Sequence, residues 1–431
     1  MPAAPSLLIV PYRSKTGKLY SQIPTSGAGD FTVTRDTEAR RFNSAGLIES
    51  VASGIPRLDY FASDGTVGCP ALLVEPSGTN FARGVELLNT PTPATAAGGV
   101  TITTGSTDFL APDGSSGTIT KYVGGTASGS NFIEYVSSTS VSASGVHTFS
   151  AFVKAGATNP LNFCALHFTA YTAASGTGTS YFNLASGTAL TAGATIQNYG
   201  NGWYRIISAP YTIAADLAGS IRLIFAEGNN DASWPASGAL NLTVYAWGIQ
   251  LEAGSVATSY IPTTTAAVTR NADVISVTGA VSGAIGQTEG TMYAEVDTRN
   301  AISRVASILQ LRQDGINQIT LGITTAFGGT NTIAVRAQQA GSFVIGFHKT
   351  NNVAGIYKIA FAYKSTDCKL YINGTDTGVT IATNNAFTAF SFNEIQLGMS
   401  NSSNQFNDRI RAVALYNTRL IDAELATLTT P

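Results

Sequence analysis

"YAWGIQLEAGSVATSYIPTTTAAVTRNADV", Tyr245–Val274, joins a strand-like run to a stretch rich in threonine and alanine. In the first half, Trp247, Ile249 and Leu251 occupy every second position, which predicts a strand with these three side chains on one face. The second half loses this alternation. The stretch therefore predicts the end of one β-rich module and the passage of the chain to another.

The exit from this strand has a composition that restricts motion. "SYIPTT" places Tyr260 and Pro262 where the chain leaves the first module, and a proline restricts its own backbone φ angle. A linker rich in glycine and serine would allow hinge motion, whereas this exit is expected to hold two modules at a set angle. We therefore predict that Trp247, Leu251, Tyr260 and Pro262 form an inter-domain joint.

The composition is typical of many short strands. Among 431 residues, only 12% are charged and 44 are glycine. Alternating runs such as "HTFSAFVKAG" and "GIYKIAFAYK" recur between turns of glycine, serine and asparagine. Only Thr418–Leu428 has a helical pattern, with Leu420, Ile421, Leu425 and Leu428 on one face. The sequence predicts an all-β protein.

Three parts follow from this pattern. Residues 1–85 contain short, proline-marked runs that bury too little surface alone, which predicts a small β-rich attachment or oligomerisation segment. This segment would pack against another domain, another subunit or a larger assembly. Residues 86–262 and 263–431 are expected to form two tandem antiparallel β-sandwiches.

The net charge and the lengths of the apolar runs exclude several classes of protein. A net charge of −2 gives no overall attraction to nucleic acid or anionic lipid. No apolar run approaches the roughly 20 residues needed to insert into a membrane. The start "MPAAPSLLIVPYR" lacks the features of a secretory signal peptide. Cys69, Cys164 and Cys368 have no metal-site spacing, which favours buried or incidental thiols.

Several stretches resemble a group of phage virion proteins of the tail-fibre, head-fibre or minor structural type. They are "GLIESVASGIPRLDY" (Gly46–Tyr60), "GCPALLVEP" (Gly68–Pro76), "NGWYR" (Asn201–Arg205) and "YAWGIQLEAGSVATSYIPTTTAAVTRNAD" (Tyr245–Asp273). In that group the middle module looks like a carbohydrate-binding jelly roll. The last module is similar to the concanavalin A-like, or laminin G-like, lectin fold, which "KLYINGTDTG" and "RIRAVALYNTRLIDAELATL" match here.

The resemblance implies a non-enzymatic virion component, such as a fibre, spike or decoration protein. It would be made in the host cytoplasm, released by lysis and attached to the particle through residues 1–85. Its implied partners are other virion proteins, further copies of itself in a homotrimer, and bacterial surface glycans displayed toward the sandwiches.

Three aromatic residues are candidates for glycan binding. Trp234 lies in the polar run "NNDASWPASG", and Tyr171 and Tyr181 flank "TAASGTGTS". Aromatic faces stack on sugar rings, but packing against a neighbouring subunit or anchoring of the loop explains the same residues.

Two acidic runs are candidates for a structural calcium site, the one cofactor considered. Asp113 in "APDGSSG" and Asp231 in "EGNNDAS" lie among oxygen-bearing side chains. Asx turns explain these residues equally well.

A polysaccharide-degrading enzyme and a structural adaptor without a glycan ligand are the alternatives. Glu295 and Asp297 in "YAEVDTRN" match the start of the acidic strand of concanavalin-like glycosidases. The further carboxylate that such chemistry needs is replaced by Arg299 and Asn300. We therefore expect no catalytic activity.

Overall fold

The structure is a computed structural model that describes most of residues 4–431. The residues outside the description are 1–3, 63–64, 84–93, 126–130, 136–140, 143, 176–177, 215–217, 229–240, 280, 300–304, 326–331, 351–353 and 402–403. The regular secondary structure of the described residues is nearly all β-strand, with one 3₁₀ turn (Ser282–Ala284) and one α-helix, α1 (Asp422–Thr429). The all-β prediction is confirmed.

The strands fall into three groups along the chain. The first group is β1 (Leu7–Ile9), β2 (Ser14–Lys15), β3 (Lys18–Leu19), β4 (Phe31–Thr34), β5 (Ala39–Phe42), β6 (Ile48–Val51), β7 (Arg57–Phe61), β8 (Val67–Val74) and β9 (Gly78–Asn80). The second is β10 (Ala94–Ala97), β11 (Thr101–Ser106), β12 (Ile119–Val123), β13 (Phe132–Tyr135), β14 (Gly145–Ala155), β15 (Phe163–Thr169), β16 (Ala173–Ser175), β17 (Thr179–Asn183), β18 (Thr188–Ala189), β19 (Thr195–Asn198), β20 (Tyr204–Ile207), β21 (Tyr211–Ile213), β22 (Ser220–Ala226) and β23 (Thr243–Ala253). The third is β24 (Val268–Arg270), β25 (Val274–Thr278), β26 (Glu289–Thr298), β27 (Ala306–Arg312), β28 (Gln318–Thr324), β29 (Thr332–Gln339), β30 (Ser342–Lys349), β31 (Gly355–Lys364), β32 (Lys369–Ile372), β33 (Thr380–Asn384), β34 (Glu394–Leu397) and β35 (Asp408–Tyr416).

One sandwich is built from strands at both ends of the chain, and we call it the composite sandwich. Its seven-stranded sheet has the order β32-β31-β26-β35-β8-β7, with β1 also paired to β35. Its ten-stranded sheet has the order β2-β3-β4-β25-β34-β27-β28-β29-β30-β33. Residues of both sheets, including Phe31, Leu72, Phe361 and Leu397, meet in one apolar core.

Six of the nine strands within residues 1–85, namely β1 to β4, β7 and β8, are therefore part of this sandwich, whereas β5 and β6 pair with each other and β9 pairs with β24. Leu7 of β1 lies opposite Leu415, and Leu72 of β8 lies opposite Ile410 in the same sheet. In the other sheet, β4 pairs with β25. The structure corrects the division at residue 85, because the strands before it find hydrogen-bond partners and a core within the same chain.

The middle sandwich consists of β10 to β23. It has a six-stranded sheet, β10-β13-β22-β15-β17-β18, and an eight-stranded sheet, β11-β12-β23-β14-β20-β19, to which β16 and β21 are attached. Both sheets contribute to its core, which includes Phe149, Leu166, Phe182 and Leu251. Since the chain leaves from β8 and returns at β25, the middle sandwich is inserted into the composite one.

Two paired crossings connect the sandwiches. β9 leads into the middle sandwich and β24 leads out of it, and the two strands pair antiparallel with Thr79 opposite Thr269. Next to this ribbon, the N–H of Phe81 donates to the carbonyl of Leu251 at 2.8 Å. The connection is therefore a hydrogen-bonded two-stranded ribbon and not a single linker.

A β-bulge in β23 changes the direction of one predicted joint residue. Gly248, at φ +58°, and Ile249 together lie opposite the single residue Ala151 of β14. A bulge of this kind reverses the alternation of side chains. Trp247 consequently lies outside the core that contains Ile249 and Leu251. The prediction that all three share one face is wrong, because alternation assumes an unbroken strand.

Trp247 instead belongs to an apolar cluster between the sandwiches. Its ring lies 4.6 Å from that of Tyr260 and 5.4 Å from that of Phe152, measured between centroids. The cluster joins side chains of the composite sandwich to those of the middle sandwich, and we call it the junction cluster. Its buried members are Phe42, Ile48, Phe61, Ala111, Ile119, Phe152, Trp203, Tyr245, Trp247 and Tyr260. Pro262 is half-buried just beyond it.

The helix α1 covers the outer face of the seven-stranded sheet. Leu420 and Leu425 are buried there against Tyr293 and Tyr371. Ile421 is 60% exposed, contrary to the helical pattern, because it is the N-cap residue and precedes the first turn. No helix among the described residues is long and apolar enough to cross a membrane.

Candidate functional site

The outer face of the ten-stranded sheet carries an aligned row of polar side chains. Gln396, Gln310, Thr320 and Arg336 lie directly opposite one another on four successive strands, β34, β27, β28 and β29. Their neighbours along each strand point into the core. Since side chains alternate between the two faces, the polar row faces outward.

Three glutamine side chains form a directed chain of hydrogen bonds on this face. The Gln310 Nε2 donates to Gln318 Oε1 at 2.7 Å and to Thr320 Oγ1 at 2.9 Å. The Gln318 Nε2 in turn donates to Gln338 Oε1 at 3.1 Å. At the other end, the backbone N–H of Asn401 donates to Gln310 Oε1 at 3.2 Å. The Nε2 of Gln338 donates no hydrogen bond to any described residue.

These residues line a groove of about 230 Å³, which we call the amide groove. Phe343 borders it with 48% of its surface exposed, and Arg336 Cζ lies 4.3 Å from the centroid of that ring. Gly322 forms part of the lining, and the position requires glycine because a Cβ there would lie 2.3 Å from the carbonyl oxygen of Ala306. The backbones of β27 and β28 therefore approach each other too closely here for a larger residue.

The amide groove offers groups that suit a sugar. Amides donate and accept hydrogen bonds, as hydroxyl groups do, and an exposed aromatic face packs against the C–H face of a ring. Its described lining contains no Asp or Glu, so these residues supply no pair of carboxylates of the kind used in glycoside hydrolysis.

The junction between the sandwiches contains buried charges beside its apolar cluster. Glu75 is 4% exposed, and its carboxylate accepts a hydrogen bond from Arg57 Nη1 at 2.6 Å. It also accepts one from the backbone N–H of Ser259, in the exit from β23, at 2.7 Å. Burial raises the pKa of Glu75, but Arg57 and Arg270 outweigh burial, and the pKa is lowered to about 2.

Two further carboxylates hold arginines in the same region. Asp273 accepts a hydrogen bond from Arg35 Nη1 at 2.9 Å. Asp59 accepts hydrogen bonds from Arg299 Nη2 at 2.7 Å and from Arg409 Nη1 at 3.2 Å. Burial raises the pKa of Asp59, yet the two arginines outweigh it and the net direction is down. Asp59 is therefore held ionised, and its pair with Arg409 connects an early strand to the last strand of the chain.

A further buried carboxylate lies nearby, held by hydrogen bonds and not by a direct ion pair with any described residue. Glu252 is 1% exposed and accepts hydrogen bonds from the Thr258 N–H at 3.0 Å, from the Thr258 hydroxyl at 2.5 Å and from the Gln250 amide. Burial raises the pKa of Glu252 more than these hydrogen bonds and the charge of Arg205 lower it. Glu252→Gln is therefore expected to raise the melting temperature at pH 7 but not at pH 4, as measured by calorimetry.

The two described aromatic residues that were predicted to bind glycan, Tyr171 and Tyr181, are not brought together. Tyr171 and Tyr181 are each 8% exposed. Tyr171 packs in the core of the middle sandwich, 6.2 Å from Phe168, whereas Tyr181 packs with Ala165 in a separate cluster. Trp234 lies outside the described residues.

The candidate calcium residues are placed as follows. Asp113 Oδ1 accepts hydrogen bonds from the N–H of Ser115 at 2.9 Å and from its hydroxyl at 2.6 Å, which is an Asx turn. Asp231 lies outside the described residues. Across the described ranges, no three His, Cys, Asp or Glu side chains are grouped as a metal site requires.

The candidate catalytic carboxylates lie on the other sheet of the composite sandwich. Glu295 Oε1 is 3.0 Å from Arg411 Nε, and Asp297 pairs with Arg409. Both project from β26 on the face opposite Val296, which is in the core. Each charge is therefore offset by an arginine, and neither residue lies near the amide groove.

Sequence reasoning missed the amide groove. The available signal was a pair of polar residues two positions apart on each of three successive strands: Gln310 and Arg312, Gln318 and Thr320, Arg336 and Gln338. Any solvent-facing strand shows this pattern. Only the pairing register places these residues in one row.

Comparison with known proteins gives weak likenesses. No family model matches the chain, and no curated protein matches its sequence. The Ruminococcus gnavus IT-sialidase CBM40 bound to alpha2,3 sialyllactose is 18% identical, with a TM-score of 0.30, over 35% of this chain and 88% of that chain. Domain 4 of AbnA, a GH43 extracellular arabinanase from Geobacillus stearothermophilus in complex with arabinotriose, is 13% identical, with a TM-score of 0.30, over 41% and 84%. The SAP-like pentraxin from Limulus polyphemus is 11% identical, with a TM-score of 0.24, over 33% and 69%. The fold described above rests on its own strand pairings.

Proposed function

We propose that the chain is a non-catalytic, glycan-binding component of a phage particle and that the amide groove is its glycan site. The observation that carries the glycan assignment is the directed chain of glutamine amides ending at Gln338. It fixes the orientation of three side chains before any ligand arrives, which lowers the entropy lost on binding.

The geometry of the junction supports a role in display. The paired ribbon, the junction cluster and the buried carboxylates all hold the middle sandwich against the composite sandwich. A particle protein that presents a binding surface at a distance benefits from such rigidity. The virion assignment itself is supported by the sequence resemblance quoted above, most of which lies at this junction.

Gln338→Ala is expected to weaken glycan binding about three- to tenfold, since one hydrogen-bonding amide contributes about 0.5–1.5 kcal/mol. A glycan array would first identify a ligand, and titration calorimetry with that ligand would then measure the change. The melting temperature of the variant is expected to stay close to that of the wild type, because Gln338 is half-buried on the sheet surface.

The matched control is Gln197→Ala, which truncates another half-buried strand glutamine in the middle sandwich. It should leave the affinity unchanged. If both variants bind as tightly as the wild type, the amide groove is not the glycan site. Failure of the wild-type protein to bind any glycan would reject glycan binding itself.

The virion assignment has a separate test. Phage particles purified by density gradient from the lysate that contains this protein should include the chain in stoichiometric amounts, as measured by mass spectrometry. Light scattering of the isolated protein should give about three chain masses if it forms the proposed homotrimer. Recovery of the chain only in the soluble fraction would contradict the assignment to the particle.

A further inference from the structure

The amide groove is positively charged along its described lining. Arg336 alone among those residues carries a formal charge. It lies within the polar row, opposite Thr320 on one neighbouring strand and Gly346 on the other. Because Gly346 has no side chain, no side chain stands beside Arg336 at that position of β30.

The ring of Phe343 orients the guanidinium of Arg336. Arg336 Cζ lies 4.3 Å from the centroid of the ring, which is within the range of a cation–π contact. In such a contact the guanidinium of Arg336 lies against the ring of Phe343. The fork of N–H groups on a guanidinium matches the two oxygens of a carboxylate, which a lysine ammonium does not.

The groove also has a direction. Its polar residues extend over β27, β28 and β29 to Phe343 on β30, and neighbouring strands are about 4.8 Å apart. Four strands therefore give a row about 14 Å long, running across the strands. That length suits a short oligosaccharide better than a single sugar ring.

We infer that the amide groove binds an extended acidic oligosaccharide, with Arg336 pairing with a sugar carboxylate and Gln338 binding a hydroxyl group of the same chain. This inference rests on the proposed glycan-binding function and names its ligand class. The ligand lies across the strands, and its negative charge meets the one formal charge of the described lining.

The test compares uronic-acid oligosaccharides with their methyl esters, which have the same sugar chain and no charge. The acid is expected to bind at least about tenfold more tightly than the ester, since a hydrogen bond to a charged group contributes about 1.5–3 kcal/mol. Arg336→Gln should remove this preference, so that the variant binds the acid and the ester with affinities within about threefold of each other. Sulfated oligosaccharides form a third arm.

The matched control is Arg13→Gln. Arg13 also lies over an aromatic ring, with its Cζ 5.8 Å from the Tyr20 centroid, but it is outside the groove. This variant should keep the wild-type preference for the acid.

Each other outcome has a distinct meaning. Equal binding of acid and ester, or a preference that survives Arg336→Gln, would overturn the inference while glycan binding stands. Tighter, Arg336-dependent binding of the sulfated arm would overturn the assignment of a carboxylate. If no glycan binds at all, both the inference and the proposed function fail.

Discussion

Glu75→Gln is expected to lower the free energy of unfolding by about 3–5 kcal/mol at pH 7, because it breaks a buried ion pair by removing one partner. Glu75 is 4% exposed, and Arg57 and Arg270 beside it are 0% and 1% exposed. The change leaves Arg57 paired with Asp273 and leaves Arg270 with the charges of Asp273 and Glu252 nearby. Urea denaturation followed by circular dichroism would measure the loss.

The hydrogen-bond geometry explains why an amide does not replace the carboxylate. One oxygen of Glu75 accepts from the Ser259 N–H at 2.7 Å, and the other accepts from Arg57 Nη1 at 2.6 Å. A glutamine has an acceptor at one of these positions and an NH₂ donor at the other. In either orientation of the amide, a buried donor faces another donor. The free-energy cost of this unsatisfied group is added to the cost of losing the ion pair.

The effect should depend on pH in a defined direction. The pKa of Glu75 is lowered to about 2 because its arginine partners outweigh burial, whereas an unfolded glutamate titrates near 4.3. Its stabilisation is therefore fully present above the unfolded value and is lost as the pH falls toward 2. The difference between the wild type and Glu75→Gln should narrow over this window. A difference that stays constant from pH 6 to pH 2.5 would contradict the assigned ionisation.

Glu289→Gln provides the control for this prediction. Glu289 pairs with Lys364 at 3.0 Å, but the two side chains are 32% and 57% exposed. A solvent-exposed pair of this kind contributes less than about 1 kcal/mol. If the two variants lose equal stability, burial of the Glu75 pair is not what makes it important.

The junction network clarifies which part of the fold could be predicted from the sequence. Alternation of apolar residues is local, so strands and the all-β class follow from short windows. Which strand pairs with which does not follow from short windows. Leu7 and Leu415 are separated by nearly the whole chain, and no local pattern indicates that they lie opposite each other. Residues 1–85 therefore looked like a separate segment.

The fragments that carry the resemblance to virion proteins turn out to meet in space. They contribute many of the polar groups of the junction, namely Arg57, Asp59, Glu75, Gln250, Glu252, Ser259, Arg270 and Asp273, together with Trp203 and Trp247 of the apolar cluster. In the sequence these fragments looked like a binding or display signature. In the structure they form the contacts that hold two sandwiches together.

The candidate site was less predictable than the fold for a different reason. A polar side chain on an outward strand position has the same sequence signal whether it faces bulk water or a groove. Gln310 is 0% exposed although its position looks solvated, because Gln318, Thr320 and Asn401 surround its amide. That arrangement needs three strands and a loop in register, which the sequence does not reveal.

Asn80→Ala is expected to lower the free energy of unfolding by about 3–4 kcal/mol, the second large effect. Asn80 is 0% exposed in the connecting ribbon. Its Nδ2 donates to the carbonyls of Ile249 at 3.2 Å and Ile261 at 2.9 Å. Its Oδ1 accepts from the N–H groups of Ala82 and Leu251, each at 3.0 Å. One amide thus joins the strand entering the middle sandwich to the bulged strand and the exit.

Truncation at Asn80 leaves buried N–H groups without an acceptor, and each such group costs about 1–3 kcal/mol. Thermal unfolding measured by calorimetry would detect the loss. Asn183→Ala is the matched control, because the Asn183 side chain also accepts from two backbone N–H groups, those of Ala185 at 3.0 Å and Ser186 at 3.1 Å, but at a solvent-exposed turn. Water replaces the lost acceptor there, so the expected cost is below about 1 kcal/mol. Equal costs for the two variants would mean that the ribbon is hydrated in solution, and the rigid connection between the sandwiches would then lack its central hydrogen bonds.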